Sequence, residues 1–81
     1  MKLALIDDTG QLFYKAKDKV SIYDSKEDAL NDMAHGEEII DIDSAYNEFH
    51  QLRNDDAIFS KLWNNNDEDF MEWYNDIYLT V

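Results

Sequence analysis

Two histidines and nineteen acids are the side chains in this 81-residue protein best suited to hold a metal or move a proton. Their spacing argues against both roles. His35 and His50 have no cysteine to join them, and the chain holds no His-Glu-x-x-His run. His35 precedes Gly36, which predicts an imidazole near the last carbonyls of a helix. His50 follows Phe49 and reads as a half-buried or surface position on a helix. Asp41-Ile42-Asp43 and the run Asn64 to Asp69 bring oxygen ligands close together. A calcium loop of the EF-hand type, however, needs Gly at its sixth position and Glu at its twelfth. Counted from Asn64 those positions are Asp69 and Asn75, and counted from Asp41 they are Tyr46 and Leu52. No metal and no cofactor are expected. Acid–base catalysis by paired carboxylates needs one of them buried with a raised pKa. Here the acids fall on polar faces, without a Gly-rich phosphate loop or a nucleophile cluster, so a non-enzymatic protein is expected.

What remains is display. Residues three or four apart on a helix lie about 5–6 Å from one another. Glu68, Glu72 and Asp76 therefore form a row along one edge of a C-terminal helix, and Asp28 and Asp32 form a shorter pair. Nucleic acid also presents anionic oxygens in rows, about 3.4 Å apart along the axis of each strand. A rigid protein carrying carboxylates in this way can occupy a groove built for DNA and meet the Arg and Lys that hold phosphate. Asp67, Glu68, Asp69, Glu72 and Asp76 are the expected partner contacts, with Asp55 and Asp56 extending the row. A solvated face is the ordinary meaning of such a charge run.

Scale lifts the display reading above the ordinary one. The formal charge is −12, yet Met1 to Tyr23 nearly balances, with Lys2, Lys15, Lys17 and Lys19 against Asp7, Asp8 and Asp18. Asp24 to Val81 holds sixteen acids against Lys26, Arg53 and Lys61, a net of −13. Solubility of a small domain asks for a magnitude of only about 2–8, and self-repulsion opposes compaction. The field predicts a basic partner, and it disfavours direct contact with nucleic acid or anionic lipid.

The elements that must position these acids follow from pattern. The length predicts a single domain over residues 1–81. Aromatics make up 14% of the chain, which separates it from a disordered acidic tail. Absence of cysteine excludes a disulfide framework and points to an intracellular protein. Met1 to Ile6 is too short for a signal peptide's apolar region, and no stretch is long enough to span a bilayer. Lys2–Ile6 and Gln11–Lys15, flanking Asp7-Asp8-Thr9-Gly10, predict a β-hairpin. Val20–Tyr23 predicts a third strand with Val20 and Ile22 on one face and Tyr23 on the other. Ser25 caps a helix with an Ala29, Leu30, Met33, Ala34 stripe, and Gly36 stands where a left-handed cap belongs. Glu38–Ile42 predicts a fourth strand, and the strand–helix–strand order leaves the sheet antiparallel or mixed. Tyr46, Phe49 and Leu52/Arg53 mark a helix capped by Asp43 or Ser44. Asn54-Asp55-Asp56 breaks or recaps it before an Ile58, Leu62, Trp63 stripe. Phe70, Trp73, Tyr74 and Ile77 mark a last helix capped by Asp67. Ile77 to Val81 fits helix or strand. The expected class is α+β, a small sheet with three to four helices packed on it.

The C-terminal run Asp67-Glu68-Asp69-Phe70, followed by Trp73-Tyr74-Asn75-Asp76-Ile77, resembles the end of small acidic phage-encoded anti-CRISPR proteins that inhibit type II-A Cas9. Like them, the chain is acidic, cysteine-free and of about their length. Met71-Glu72-Trp73 intervenes between the aromatic and Tyr74, so the match needs a gap, and it covers only this segment. The resemblance implies a DNA mimic acting in the bacterial cytoplasm on the Cas9 surface that reads the PAM, where arginines grip duplex DNA. By position Asp67, Glu68 and Asp69 correspond to the acidic triplet, and Asp76 to the Asp after Tyr-Asn. The alternative, from the charge alone, is an acidic adaptor or immunity-type protein that binds a basic partner outside any nucleic-acid site.

Overall fold

Leu3-Ala4-Leu5-Ile6 carries no polar side chain, as suits a strand covered on both faces. In the computed structural model, which describes residues 1–80, it is the central strand β1 (Leu3–Ile6). Two further strands are β2 (Tyr14–Ala16) and β3 (Lys19–Val20), which pair antiparallel with each other. β4 (Ile22–Tyr23) and β5 (Glu38–Asp41) flank β1, both antiparallel to it. Four helices complete an α+β fold among the described residues: α1 (Lys26–Asp32), α2 (Asp43–Asp55), α3 (Ala57–Leu62) and α4 (Asp67–Asp76).

The expected N-terminal hairpin is corrected in its pairing. The turn itself forms: Asp7 accepts from the Thr9 and Gln11 amides and from the Thr9 hydroxyl, and Gly10 takes a φ of 83°. Its arms part immediately afterwards, because Ser21 comes between them. The Leu5 amide donates to the Ser21 carbonyl (3.0 Å) and the Ser21 amide to the Phe13 carbonyl (2.9 Å). The Ser21 hydroxyl, fully buried, donates to the Leu5 carbonyl (2.8 Å) and accepts from the Phe13 amide (3.2 Å). The segment expected to be one strand, Val20–Tyr23, is thereby split into β3 and β4, one for each sheet. Its faces are as expected, since Val20 and Ile22 pack into one cluster and Tyr23 into another.

Alternation along β1 assigns the two faces. Leu5 points with Tyr23 toward α1, whose Ala29 is fully buried. Ala4 points with Val20 toward the other three helices. α1 is shorter than its periodicity predicts. Ser25 caps it as expected, but Leu30, Met33 and Ala34 are exposed, and only Ala29 of the stripe reaches the core. Glu37 takes the Ala34 amide (2.9 Å), ending the helix early, so Gly36 (φ 89°) and His35 sit in an exposed turn beyond it.

The second half is a three-helix layer built on aromatics. α2 begins without a side-chain cap, contrary to expectation, because Asp43 instead accepts the Lys2 backbone amide and anchors the N-terminus. Asp56 caps α3, accepting from the Ile58 and Phe59 amides. The α3 stripe is rotated from the expected one: Phe59 and Trp63 turn inward, while Ile58 and Leu62 remain 72% and 69% exposed. Asn66, not Asp67, caps α4. Phe70, Met71, Trp73 and Tyr74 of α4 are buried as one face. Tyr78–Thr80 forms a 3-10 turn, so the strand alternative for this end is excluded for those residues; Val81 lies outside the described residues. Phe49 of α2 is fully buried and lies 5.4–5.5 Å, ring centre to ring centre, from Phe59, Phe70 and Trp73.

One polar clamp ties this layer to the N-terminal loop. The Asn75 side chain accepts from the Leu12 amide and donates to the Leu12 carbonyl, each at 2.9 Å. The amide pairs with Leu12 as a neighbouring strand would. Asn75→Ala leaves both groups of buried Leu12 without this partner, so a loss of about 2 kcal/mol is expected. Urea unfolding checks the magnitude, and hydrogen exchange should speed up first at the Leu12 amide.

Candidate functional site

α4 is oriented by what it buries. With Phe70, Met71, Trp73 and Tyr74 held in the core, helical geometry turns Glu68, Glu72 and Asp76 outward along one edge, four residues apart. All three are exposed. No Lys, Arg or His occurs after Lys61, so the stretch from Asn64 onward carries five acids and no base. Among the described residues the ion pairs are Lys2–Asp24, Lys15–Glu37 and Lys19–Asp32, none of which involves α4. Neither Glu72 nor Asp76 has a hydrogen-bond partner for its carboxylate there. Glu68 has a long one, the Tyr14 hydroxyl at 3.4 Å.

That contact carries the row onto the sheet. The Tyr14 phenol is held above its ordinary pKa, first by partial desolvation and then by the charges of Glu68, Glu72 and Asp18. Asp18 occupies the β2–β3 turn with a φ of 74°, a left-handed conformation that Asp tolerates better than most residues. Its charge acts on Tyr14 from within the same hairpin. Sequence reasoning missed Tyr14, because nothing in the nearly neutral N-terminal stretch signals its contact with Glu68 of α4.

The other expected contacts are placed differently. Asp67 is exposed but faces away from the row, where its charge acts on Lys2, Tyr46 and His50. Asp69 is half-buried and closes the preceding loop by accepting the Asn64 amide at 2.6 Å. Asp55 and Asp56 lie at the α2–α3 junction, and no hydrogen bond or ion pair joins them to α4. Asp55 accepts from Gln51, while Asp56 is occupied as the α3 cap. The structure thus brings together Glu68, Glu72 and Asp76, and gives Asp69 and Asp56 structural work.

His50 marks the opposite edge of α2. Its ring meets Tyr46 edge-on at 4.5 Å and Phe49 at 5.5 Å. Burial, with a smaller contribution from Arg53, holds its pKa below the ordinary value, against the opposing pull of Asp67. No three His, Asp or Glu side chains among the described residues converge as a metal-ligand set. No helix there is long and apolar enough to cross a membrane.

A separate apolar groove of about 770 Å³ opens between α2, α3, α4 and the C-terminal turn. Its lining includes Phe59, Trp63, Trp73 and Tyr78. Comparisons of the chain with protein-family models, with curated proteins and with solved structures find no match.

Two expectations follow. Asp56→Ala removes the α3 cap and Asp69→Ala the acceptor of the Asn64 loop amide, each of which lowers stability by about 1 kcal/mol. Asp76→Asn removes a negative charge from the unfavourable end of a helix dipole, so stability rises by roughly 0.3–1 kcal/mol. Denaturant midpoints of the three variants check the opposite signs. For His50, the unfolded chain takes up a proton near pH 6.5 that the folded state resists. Stability contributed by the neutral ring is present above that pH and is lost as pH falls through it. His50→Gln should flatten the dependence of the urea midpoint on pH between about 7.5 and 5.5.

Proposed function

We propose that this protein is a non-enzymatic DNA mimic that inhibits a basic nucleic-acid-binding protein by filling its DNA groove. The observation that carries the reading is the exposed row Glu68, Glu72, Asp76 on α4, without an ion-pair partner and backed by a buried aromatic face. Four residues of helix rise about 6 Å, so three such carboxylates span about 12 Å. That is the axial length of three to four phosphate-to-phosphate steps along one DNA strand. Folding gains nothing from Asp76, which opposes the helix dipole. A charge kept where it weakens the fold is what a binding surface demands.

Rigidity matters as much as charge. Arg and Lys in a DNA groove are arranged for fixed phosphates, and carboxylates on a packed helix meet them without paying to order a loop. Bidentate Arg–carboxylate pairs supply geometric selectivity, and complementary fields speed association. The target comes from the resemblance of the Asp67–Ile77 segment to type II-A anti-CRISPR proteins: the PAM-reading arginines of Cas9, met in a bacterial host by a phage or mobile-element protein.

The test is displacement of a fluorescent PAM-containing duplex from a Cas9–guide complex. The wild-type protein should compete, with potency falling steeply as salt rises from about 0.05 to 0.2 M, because exposed charges are screened beyond roughly 8 Å. Glu68→Gln/Glu72→Gln/Asp76→Asn should compete at least tenfold more weakly, a change of about 1.4 kcal/mol, with its unfolding curve retained. Equal potency of the triple variant removes the row from the mechanism. No competition by the wild type removes Cas9 as the target.

A further inference from the structure

The groove beside α4 is made of side chains that a chain rich in acid has left uncovered. α2 contributes Leu52, α3 contributes Phe59 and Leu62, Trp63 follows, and α4 contributes Trp73 with Ile77 just beyond it. Its floor is a continuous aromatic surface. Phe59 lies 6.2 Å from Trp73 and 6.4 Å from Trp63, and Trp73 lies 5.5 Å from Tyr78, between ring centres. Trp73 at the base is 3% exposed while Leu62 at the rim is 69% exposed. The volume, about 770 Å³, lies within the ~300–1,000 Å³ of pockets that take sizeable ligands and exceeds what one side chain fills. The site is preformed: Arg53 donates from Nε to the Trp63 carbonyl at 2.8 Å, fixing the corner where α3 ends.

Charge decides what fits there. Glu48 stands in the α2 wall, and its carboxylate has no ion-pair or hydrogen-bond partner among the described residues. Asp55 follows seven residues later, on nearly the same face of α2, and Asp76 precedes Ile77 on α4. The cations at this end are Lys61 beside Leu62 and Arg53, whose guanidinium donates to the Trp63 carbonyl, and three carboxylates outnumber them. A second copy of this chain, at −12, would bring like charges together around the apolar contact. A chain with apolar anchors flanked by Lys and Arg would gain on both counts.

We propose that this groove docks a cationic amphipathic helix of a partner protein, its apolar face on the aromatic floor and its Lys or Arg residues against Glu48, Asp55 and Asp76. This is the helix-in-groove mode, in which anchors at i, i+3, i+4 and i+7 enter one continuous trough. The site uses a surface other than the Glu68–Glu72 part of the α4 row, and it stands whether or not that row mimics DNA.

The chain's two tryptophans, Trp63 and Trp73, both line the groove, so intrinsic fluorescence reports its occupancy. The probe is a tryptophan-free helical peptide of about 14 residues, ~21 Å long, with Leu at i, i+3, i+4 and i+7 and Lys elsewhere. Two matched peptides replace its Lys by Glu or its Leu by Gln. At about 0.15 M salt, where screening acts over ~8 Å, the Leu/Lys peptide should shift the emission, and neither matched peptide should do so. Leu62→Ser and Ile77→Ser, at exposed positions that leave the core intact, should each weaken binding about tenfold. Ile58→Ser, exposed on α3 but outside the groove, should leave it unchanged. Glu48→Gln should narrow the preference for Lys over Glu peptides. An equal response to the Gln/Lys or Leu/Glu peptide, or no effect of Leu62→Ser, overturns the proposal. So does sedimentation showing a dimer that Leu62→Ser dissociates, which would make a second copy the occupant.

Discussion

Everything in the second half of this protein hangs on Phe49. Its ring, fully buried in α2, touches Phe59 of α3 and both Phe70 and Trp73 of α4, so three helices share one contact centre. A chain of this size buries only a little over ~60% of its unfolded surface, and without disulfides it must make each buried group large. Aromatic rings do this, and their edge-to-face arrangement around Phe49 adds a directional preference to burial. α3 is only six residues long and could not persist alone. It exists because Asp56 caps it and because Phe59 and Trp63 are drawn into that cluster.

The same constraint sorts the acids. Where a carboxylate has backbone amides to accept, it is absorbed into the fold: Asp7 in its turn, Asp43 on the Lys2 amide, Asp56 and Asp69 at helix starts. Asp24, Asp32 and Glu37 take the three lysines of the ion pairs. Asp32 also accepts from the Tyr23 hydroxyl, coupling α1 to β3 through Lys19 and to β4 through Tyr23. The acids left over include Glu72 and Asp76, which with Glu68 line one exposed edge of α4. The proposed functions rest on this unsatisfied charge and on the apolar groove that the helices enclose without filling.

How much was legible depended on whether the information was local. Two helix starts were readable because capping is a short-range bond: Ser25 and Asp56 do what their side chains predict, whereas Asp43 is drawn to the Lys2 amide and Asn66 takes the place expected of Asp67. The α4 stripe was readable at Phe70, Trp73 and Tyr74, whose bulk left one way to turn the helix, whereas Ile77 falls beyond α4 and is exposed, and Met71 is buried in addition. The α1 and α3 stripes failed for the same reason. Leu30 and Met33, or Ile58 and Leu62, satisfy helical periodicity, but no packing surface lies opposite them; of the expected stripes only Ala29 and Trp63 pack inward, and the aromatic cluster takes Phe59 as well. The hairpin failed on pairing partner. Alternation in Lys2–Ile6 and Gln11–Lys15 says that both are extended, not that Ser21 will hydrogen-bond to both and hold them apart.

By itself the sequence determined the class of the fold, three to four helices and their approximate positions, the charge asymmetry, and the edge of α4 along which Glu68, Glu72 and Asp76 align. Each of these rests on spacing along one segment, which backbone geometry converts into direction. Only the tertiary structure decided that β1 lies between β4 and β5, that Tyr14 meets Glu68 of the α4 row, that Asp69 and Asp56 are spent on backbone amides, and that α2, α3 and α4 enclose a groove. Those outcomes depend on contacts between residues far apart in the chain, such as Asn75 with Leu12 and Phe49 with Trp73. Such contacts depend on which apolar faces find one another in three dimensions, and period and composition do not encode that choice.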